Sequence, residues 1–205
     1  MKFYMTPGSC STGVHILLET LELPFEVYLV NLMAGDQFKP EYIAINPKAT
    51  IPTLVRDDGS SITDFQSIAW WLARRYPKAK LLPDDIEDET RVLETMNYVV
   101  GTIHGQGYTR IFTTSNYSSN EADHPGIQAR GREIVEQGFA VMNKVLSGKE
   151  YVVGNFSIAD AALFYVEFWA DKIKVDLPPN CQAHYQHMLQ RPVVRQVLLE
   201  EGYRV

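Results

Sequence analysis

An α/β domain of order βαβ–ββα, followed by an all-α domain, is the fold class these 205 residues predict. Three observations carry it. Short apolar runs alternate with helical periodicity up to Tyr76. A Pro- and charge-rich stretch follows, and beyond it the patterning is almost all helical. The boundaries drawn are 1–77 for the first domain, 78–89 for a linker and 90–205 for the helical domain.

Each element has a local reason. Residues 2–5 (KFYM) alternate as a short strand that Pro7-Gly8 ends. From Ser11 to Leu23, Val14, Leu17, Leu18 and Leu21 recur at helical spacing. Pro24 cannot continue that helix, and 25–30 (FEVYLV) reads as a second strand, with the helix as crossover. Thr53–Arg56 and Ser61–Thr63 form a hairpin around Asp57-Asp58-Gly59. Residues 64–76 (DFQSIAWWLARRY) read as a helix, acidic at the start and basic at the end. Beyond the linker, 90–112 and 127–146 are long helices, separated by a polar turn at 114–125. Ser157-x-x-Asp160 is a capping box opening a helix so apolar that it belongs at the centre of its domain. The last helical segment runs through 181–190, breaks at Pro192 and resumes.

Composition excludes several function classes. The net charge is −6 and the 19 Lys and Arg are scattered, which argues against a nucleic-acid surface. No stretch approaches the roughly 20 apolar residues of a membrane span, and no secretory signal opens the sequence. A soluble, cytoplasmic protein is expected. The two cysteines, Cys10 and Cys181, make neither a disulfide framework nor a zinc-type cluster, so no metal is expected.

Cys10 is the residue with chemistry to offer. In TPGSCSTGVH (6–15) it stands at a strand-to-helix turn, beside unpaired backbone N–H groups and the positive end of a helix dipole. Both favour thiolate, so the expectation is a pKa below the free value of roughly 8.5, helped by the hydroxyls of Ser9, Ser11 and Thr12. Cys10-Ser11-Thr12-Gly13 has the spacing of a redox Cys-x-x-Cys pair with Gly in the second slot. A disulfide formed there needs an outside thiol to resolve it. Cys181, with no partner at readable spacing, reads as structural.

KFYMTPGSCS, NPKATIPTL, DDGSSITDF, FSIADAAL and RPVVRQVL are spread along essentially the whole length. On these the chain resembles the cytosolic glutathione transferases, closest to the bacterial beta class. The resemblance implies a thioredoxin-like first domain that binds glutathione as co-substrate. It also implies a helical domain carrying the second-substrate pocket, and a homodimer. Cys10 and Ser11 would be catalytic, joined by His104 facing the cysteine. Thr50, Ile51 and Pro52 would hold the cysteinyl part of glutathione, with Ile51-Pro52 cis so that the Ile51 backbone pairs with it. Asp64 and Phe65, with Gln66, would hold the γ-glutamyl end. Phe65 occupies a slot usually filled by serine, and Gln66-Ser67 is the alternative register. Gly105 stands where the family has lysine. Tyr108, Arg110 and Phe112 are candidates for the second-substrate pocket or for plain helix packing, and Tyr4 for packing. The implied activity is conjugation of glutathione to a small hydrophobic electrophile. The alternatives are glutathione-dependent thiol–disulfide reduction or reductive dehalogenation by Cys10, and a non-catalytic ligand carrier or regulatory partner.

Overall fold

A computed structural model describes residues 1–204. The chain forms two compact units, one of Met1–Leu82 with Met188–Val205 and the other of Pro83–His187. The helical domain expected over 90–205 is therefore shorter: its last helix belongs to the first unit.

In the first unit, β1 (Lys2–Met5) lies inside a four-stranded sheet of order β2-β1-β3-β4. Phe3 and Met5 are buried while Lys2 and Tyr4 face the other side, as the period of two requires. β2 (Glu26–Leu29) pairs parallel to β1, and the parallel pairing requires a crossover, here α1 (Ser11–Thr20). β3 (Thr53–Val55) runs antiparallel to β1, placing Leu54 opposite Phe3. The hairpin partner β4 (Ser61–Thr63) closes the sheet edge. β2, the other edge, is exposed at all four positions, so the fourth strand stands on hydrogen bonding and the aromatic stack of Tyr4 on Tyr28. A short helix, α2 (Pro40–Ile43), lies between β2 and β3.

α3 (Phe65–Arg75) buries Phe65, Ile68, Ala69, Leu72 and Ala73, the i, i+3, i+4, i+7, i+8 stripe of an amphipathic helix. It packs on α1. The final helix, α9 (Pro192–Glu200), lays Val194, Val197 and Leu198 inward and also packs on α1. Gly8 is required where this tail returns. Its φ is +71°, and a Cβ there would lie 1.9 Å from the Tyr203 hydroxyl oxygen.

In the second unit, Asp85 caps α4 (Ile86–Tyr98) by accepting from the backbone N–H groups of Glu87 and Asp88. The helix does not continue regularly to 112, as its periodicity predicts. Val99–Tyr108 is π-wound, a form that is rare and frequently placed at functional sites, before α5 (Thr109–Phe112) resumes. α6 (His124–Val145) approaches this stretch closely. A Cβ on Gly138 would lie 2.5 Å from Ile103 Cγ1.

α7 (Ile158–Ile173) is buried along every residue from Ile158 to Ala170, as its apolar sequence requires. Its capping box is built as expected: Asp160 Oδ2 accepts from the Ser157 N–H and hydroxyl, while Oδ1 accepts from Val152 N–H. α8 (Pro179–Gln190) inserts His184 between Glu167 Oε2, at 2.8 Å, and Asp160 Oδ1, at 3.3 Å. All three side chains are fully buried. Cys181 is fully buried too, donating to the Phe139 carbonyl, which suits a structural residue.

Candidate active site

Three segments of the first unit meet around Cys10: the β1–α1 turn, the loop entering β3, and the start of α3. Cys10 is the N-cap of α1. Its Sγ lies 3.7 Å from the Ile51 carbonyl oxygen, in position to donate its proton there. Ile51-Pro52 is cis, as the resemblance implies. The loop before it is pinned from behind. Asn46 Nδ2 donates to the Thr50 carbonyl at 2.8 Å, and the Tyr42 hydroxyl donates to the same oxygen at 2.6 Å. Asp64, the N-cap of α3, accepts from Lys48 Nζ and Thr50 Oγ1, both at 3.1 Å. One carboxylate thus ties the cis-proline loop to the α3 N-terminus, and Thr50, Ile51, Pro52, Asp64, Phe65 and Gln66 form one neighbourhood.

The electrostatic setting of Cys10 runs against the expected thiolate. Burial pushes its pKa up to about 12, and the nearby negative Asp64 adds to the rise. The backbone N–H groups of Cys10 and Ser11 pull the other way, as a helix N-terminus should, but they lose. Desolvating a thiolate costs more than two backbone donors return. The hydroxyls do not help either. Ser9 Oγ donates to the Thr6 carbonyl and Thr12 Oγ1 to Glu201, while Ser11 Oγ is buried without a hydrogen-bond partner. Ser11 is fully enclosed, so the catalytic hydroxyl expected of it is closed off from a ligand in this arrangement.

Phe65 turns its ring inward. Its side chain is only 2% exposed and belongs to the α3 core stripe, so what it offers a ligand is backbone at the helix N-terminus. In the neighbouring pair, Gln66 is half-buried and Ser67 exposed. Tyr4 stacks on Tyr28 and meets Tyr42 edge-on, a packing role.

In the second unit, His104 rides on the π-wound stretch. Its Nδ1 is 3.1 Å from the Tyr165 hydroxyl, and its ring meets Tyr165 and Trp169 edge-to-face. Burial lowers its pKa to about 4, so it stands neutral near pH 7. Tyr108, a candidate for the second-substrate pocket, is fully buried and donates to the Val166 carbonyl, which makes it core. Phe112 is about half exposed and stacks on Tyr108, while Arg110 lies over the Tyr117 ring.

One positioning group had no signal in the sequence. Glu201, at the end of α9, accepts from Gly8 N–H and Thr12 Oγ1, both at 2.7 Å, and its other oxygen lies 3.0 Å from His15 Nδ1. It grips the turn on both sides of Cys10 from the far end of the chain.

The comparisons with known proteins agree with this architecture. Residues 8–75 match the family model of the glutathione S-transferase N-terminal domain, and 125–187 that of the C-terminal domain. A glutathione transferase homologue from Sulfitobacter, solved with bound glutathione, superposes with a TM-score of 0.92. It shares 28% identity, covering 98% of each chain. A bacterial beta class glutathione S-transferase from Sphingomonas chungbukensis gives a TM-score of 0.86 at 26% identity, covering 98% of this chain and 99% of its own. Glutathione S-transferase GstA of Escherichia coli O157:H7 is 32% identical over 213 residues, the full length of both chains. A thioredoxin-like domain, a helical domain and this full-length likeness place the chain among the enzymes of the glutathione S-transferase family.

Proposed function

We propose that the protein conjugates glutathione to a small hydrophobic electrophile, with Cys10 acting as a hydrogen-bond donor rather than as a nucleophile. The observation that carries this is the buried Cys10 Sγ, 3.7 Å from the Ile51 carbonyl oxygen and placed to donate to it, where burial also pushes the thiol pKa up. A cysteine held well above neutral pH is a poor attacking thiol, which counts against disulfide reduction and reductive dehalogenation at this residue. It is instead a steady S–H donor.

Glutathione bound strand-like against Ile51 presents its cysteinyl N–H to the carbonyl that now accepts from Cys10. The Cys10 S–H is then free to donate a hydrogen bond to the incoming sulfur, which favours thiolate over thiol there. Asp64 would meet the α-amino group, and the backbone N–H groups of Phe65 and Gln66 the α-carboxylate. The glutathione thiol loses its proton to solvent, its sulfur bonds to the electrophilic carbon, and the leaving group departs with the displaced electron pair. His104, buried beside Tyr165 and Trp169 with its pKa lowered to about 4, is poorly suited to act as a base. Assembly as a homodimer belongs to the same proposal, on family likeness.

Cys10→Ala and Cys10→Ser test it, assayed with chlorodinitrobenzene and with hydroxyethyl disulfide. The serine variant keeps a donor and should retain conjugation within a few-fold. The alanine variant should lose about tenfold, in keeping with roughly 1–1.5 kcal/mol for one hydrogen bond. Strong disulfide reductase activity in the wild type that both variants abolish would show that Cys10 is the nucleophile after all.

A further inference from the structure

A second cluster of chemistry-bearing groups lies where α9 meets α1. His15 and Glu19 stand four residues apart on α1, one helical turn, and share a face. Glu200 and Glu201 close α9. The His15 side chain is 5% exposed, and both of its ring nitrogens face carboxylate oxygens: Nδ1 is 3.0 Å from Glu201 and Nε2 is 3.3 Å from Glu200. Glu201 is already an acceptor for Gly8 N–H and Thr12, and a proton on His15 Nδ1 completes that set. The Gln196 amide draws the carboxylates together despite their like charge, donating to Glu200 Oε1 at 2.9 Å and Glu19 Oε2 at 3.3 Å. Among the described residues, no lysine or arginine is ion-paired with Glu19, Glu200 or Glu201. Three carboxylates converge on one imidazole, and a positive charge is what the arrangement lacks.

We propose that His15 Nε2, Glu19 and Glu200 form a binding site for a divalent transition cation of the zinc type. One ligand atom from each already lies within 4.8 Å of the other two. Ligands at about 2.1 Å around a tetrahedral ion sit roughly 3.4 Å apart. The His15–Glu200 pair is therefore at ligating separation, and Glu19 needs only a side-chain adjustment. Glu201 behind Nδ1 supplies the carboxylate–histidine–metal relay that fixes tautomer and ring direction. The same residues border a cleft of about 620 Å³, whose apolar wall includes Leu23, Phe25 and Val27, so a fourth coordination position faces water. A bound ion would clamp α9 to α1, the helix whose N-cap is Cys10. This site is independent of the glutathione chemistry and takes no ligand from it.

Equilibrium dialysis of the tag-free, EDTA-stripped full chain against Zn²⁺, with metal counted by atomic emission, decides the matter. The wild type should take up one ion per chain and unfold at a higher temperature with it. Cys10→Ser should bind equally well, which separates this site from the thiol. Glu19→Gln, at a half-buried position, and Glu200→Gln, at an exposed one, should each weaken binding at least tenfold while unfolding normally in EDTA. If one of them fails to fold, the other decides. Absence of saturable binding by the wild type, loss of the ion in Cys10→Ser, or unchanged uptake by the glutamate variants would overturn the proposal.

Discussion

Iodoacetamide offered to the full chain between pH 6 and pH 10 tests the state of Cys10 directly, because only thiolate reacts. With the pKa pushed up to about 12, roughly one molecule in ten thousand carries a thiolate at pH 8. An ordinary thiol near 8.5 would be about one quarter ionised there, a difference of roughly a thousandfold or more in reactive fraction. The rate at Cys10 should therefore climb about tenfold per pH unit, with no plateau up to pH 10. Peptide mapping must separate it from Cys181, which burial likewise pushes up to about 12. Asp64→Asn removes the second cause of the shift, so alkylation should accelerate. The gain should be a few-fold only, since the Asp64 carboxylate is 50% exposed and partly screened. A rate that levels off below pH 8, or brisk labelling at pH 6, would refute the reasoning and restore the thiolate that the helix N-terminus alone suggests.

Two further outcomes follow from burial elsewhere. Phe65→Ser, which would restore the family's hydroxyl, should cost about 3–5 kcal/mol in denaturant unfolding because it empties a core position, and this loss should mask any gain in glutathione affinity. An affinity gain in a variant of wild-type stability would show that the ring is dispensable. At His184, burial alone would lower the pKa, but the Glu167 and Asp160 carboxylates outweigh it and raise the value to about 10. Its stabilising contribution is complete below an unfolded value near 6.5 and is lost as pH rises toward 10. Glu167, raised to about 7 chiefly by burial, acts with the same sign at lower pH. Chemical denaturation midpoints should fall from pH 6.5 to pH 10, and His184→Gln should flatten that slope while costing about 3–5 kcal/mol at neutral pH by stranding buried carboxylates. A pH-independent wild type would contradict this.

Where interactions are local, the sequence by itself determined the outcome. The strands at 2–5 and 61–63, the α3 stripe and the Ser157–Asp160 box all lie where periodicity and capping chemistry place them, because each depends on residues within a turn or two. The two-domain order came through the change of patterning along the chain, and the cis Ile51-Pro52 bond through the family resemblance. What only the tertiary structure decided is everything that depends on distance through space. Desolvation and the Asp64 charge set the Cys10 thiol, and no count along the chain shows how deeply a turn is buried. Packing turned Phe65 and Tyr108 into core and enclosed Ser11, although their neighbours in sequence suggest a site. Glu200 and Glu201 reach His15 from the opposite end of the chain, so an imidazole facing three carboxylates is invisible to spacing rules. Periodicity records which side of an element faces inward. Only folding decides what it meets there, and hence the free energy of charge at each atom.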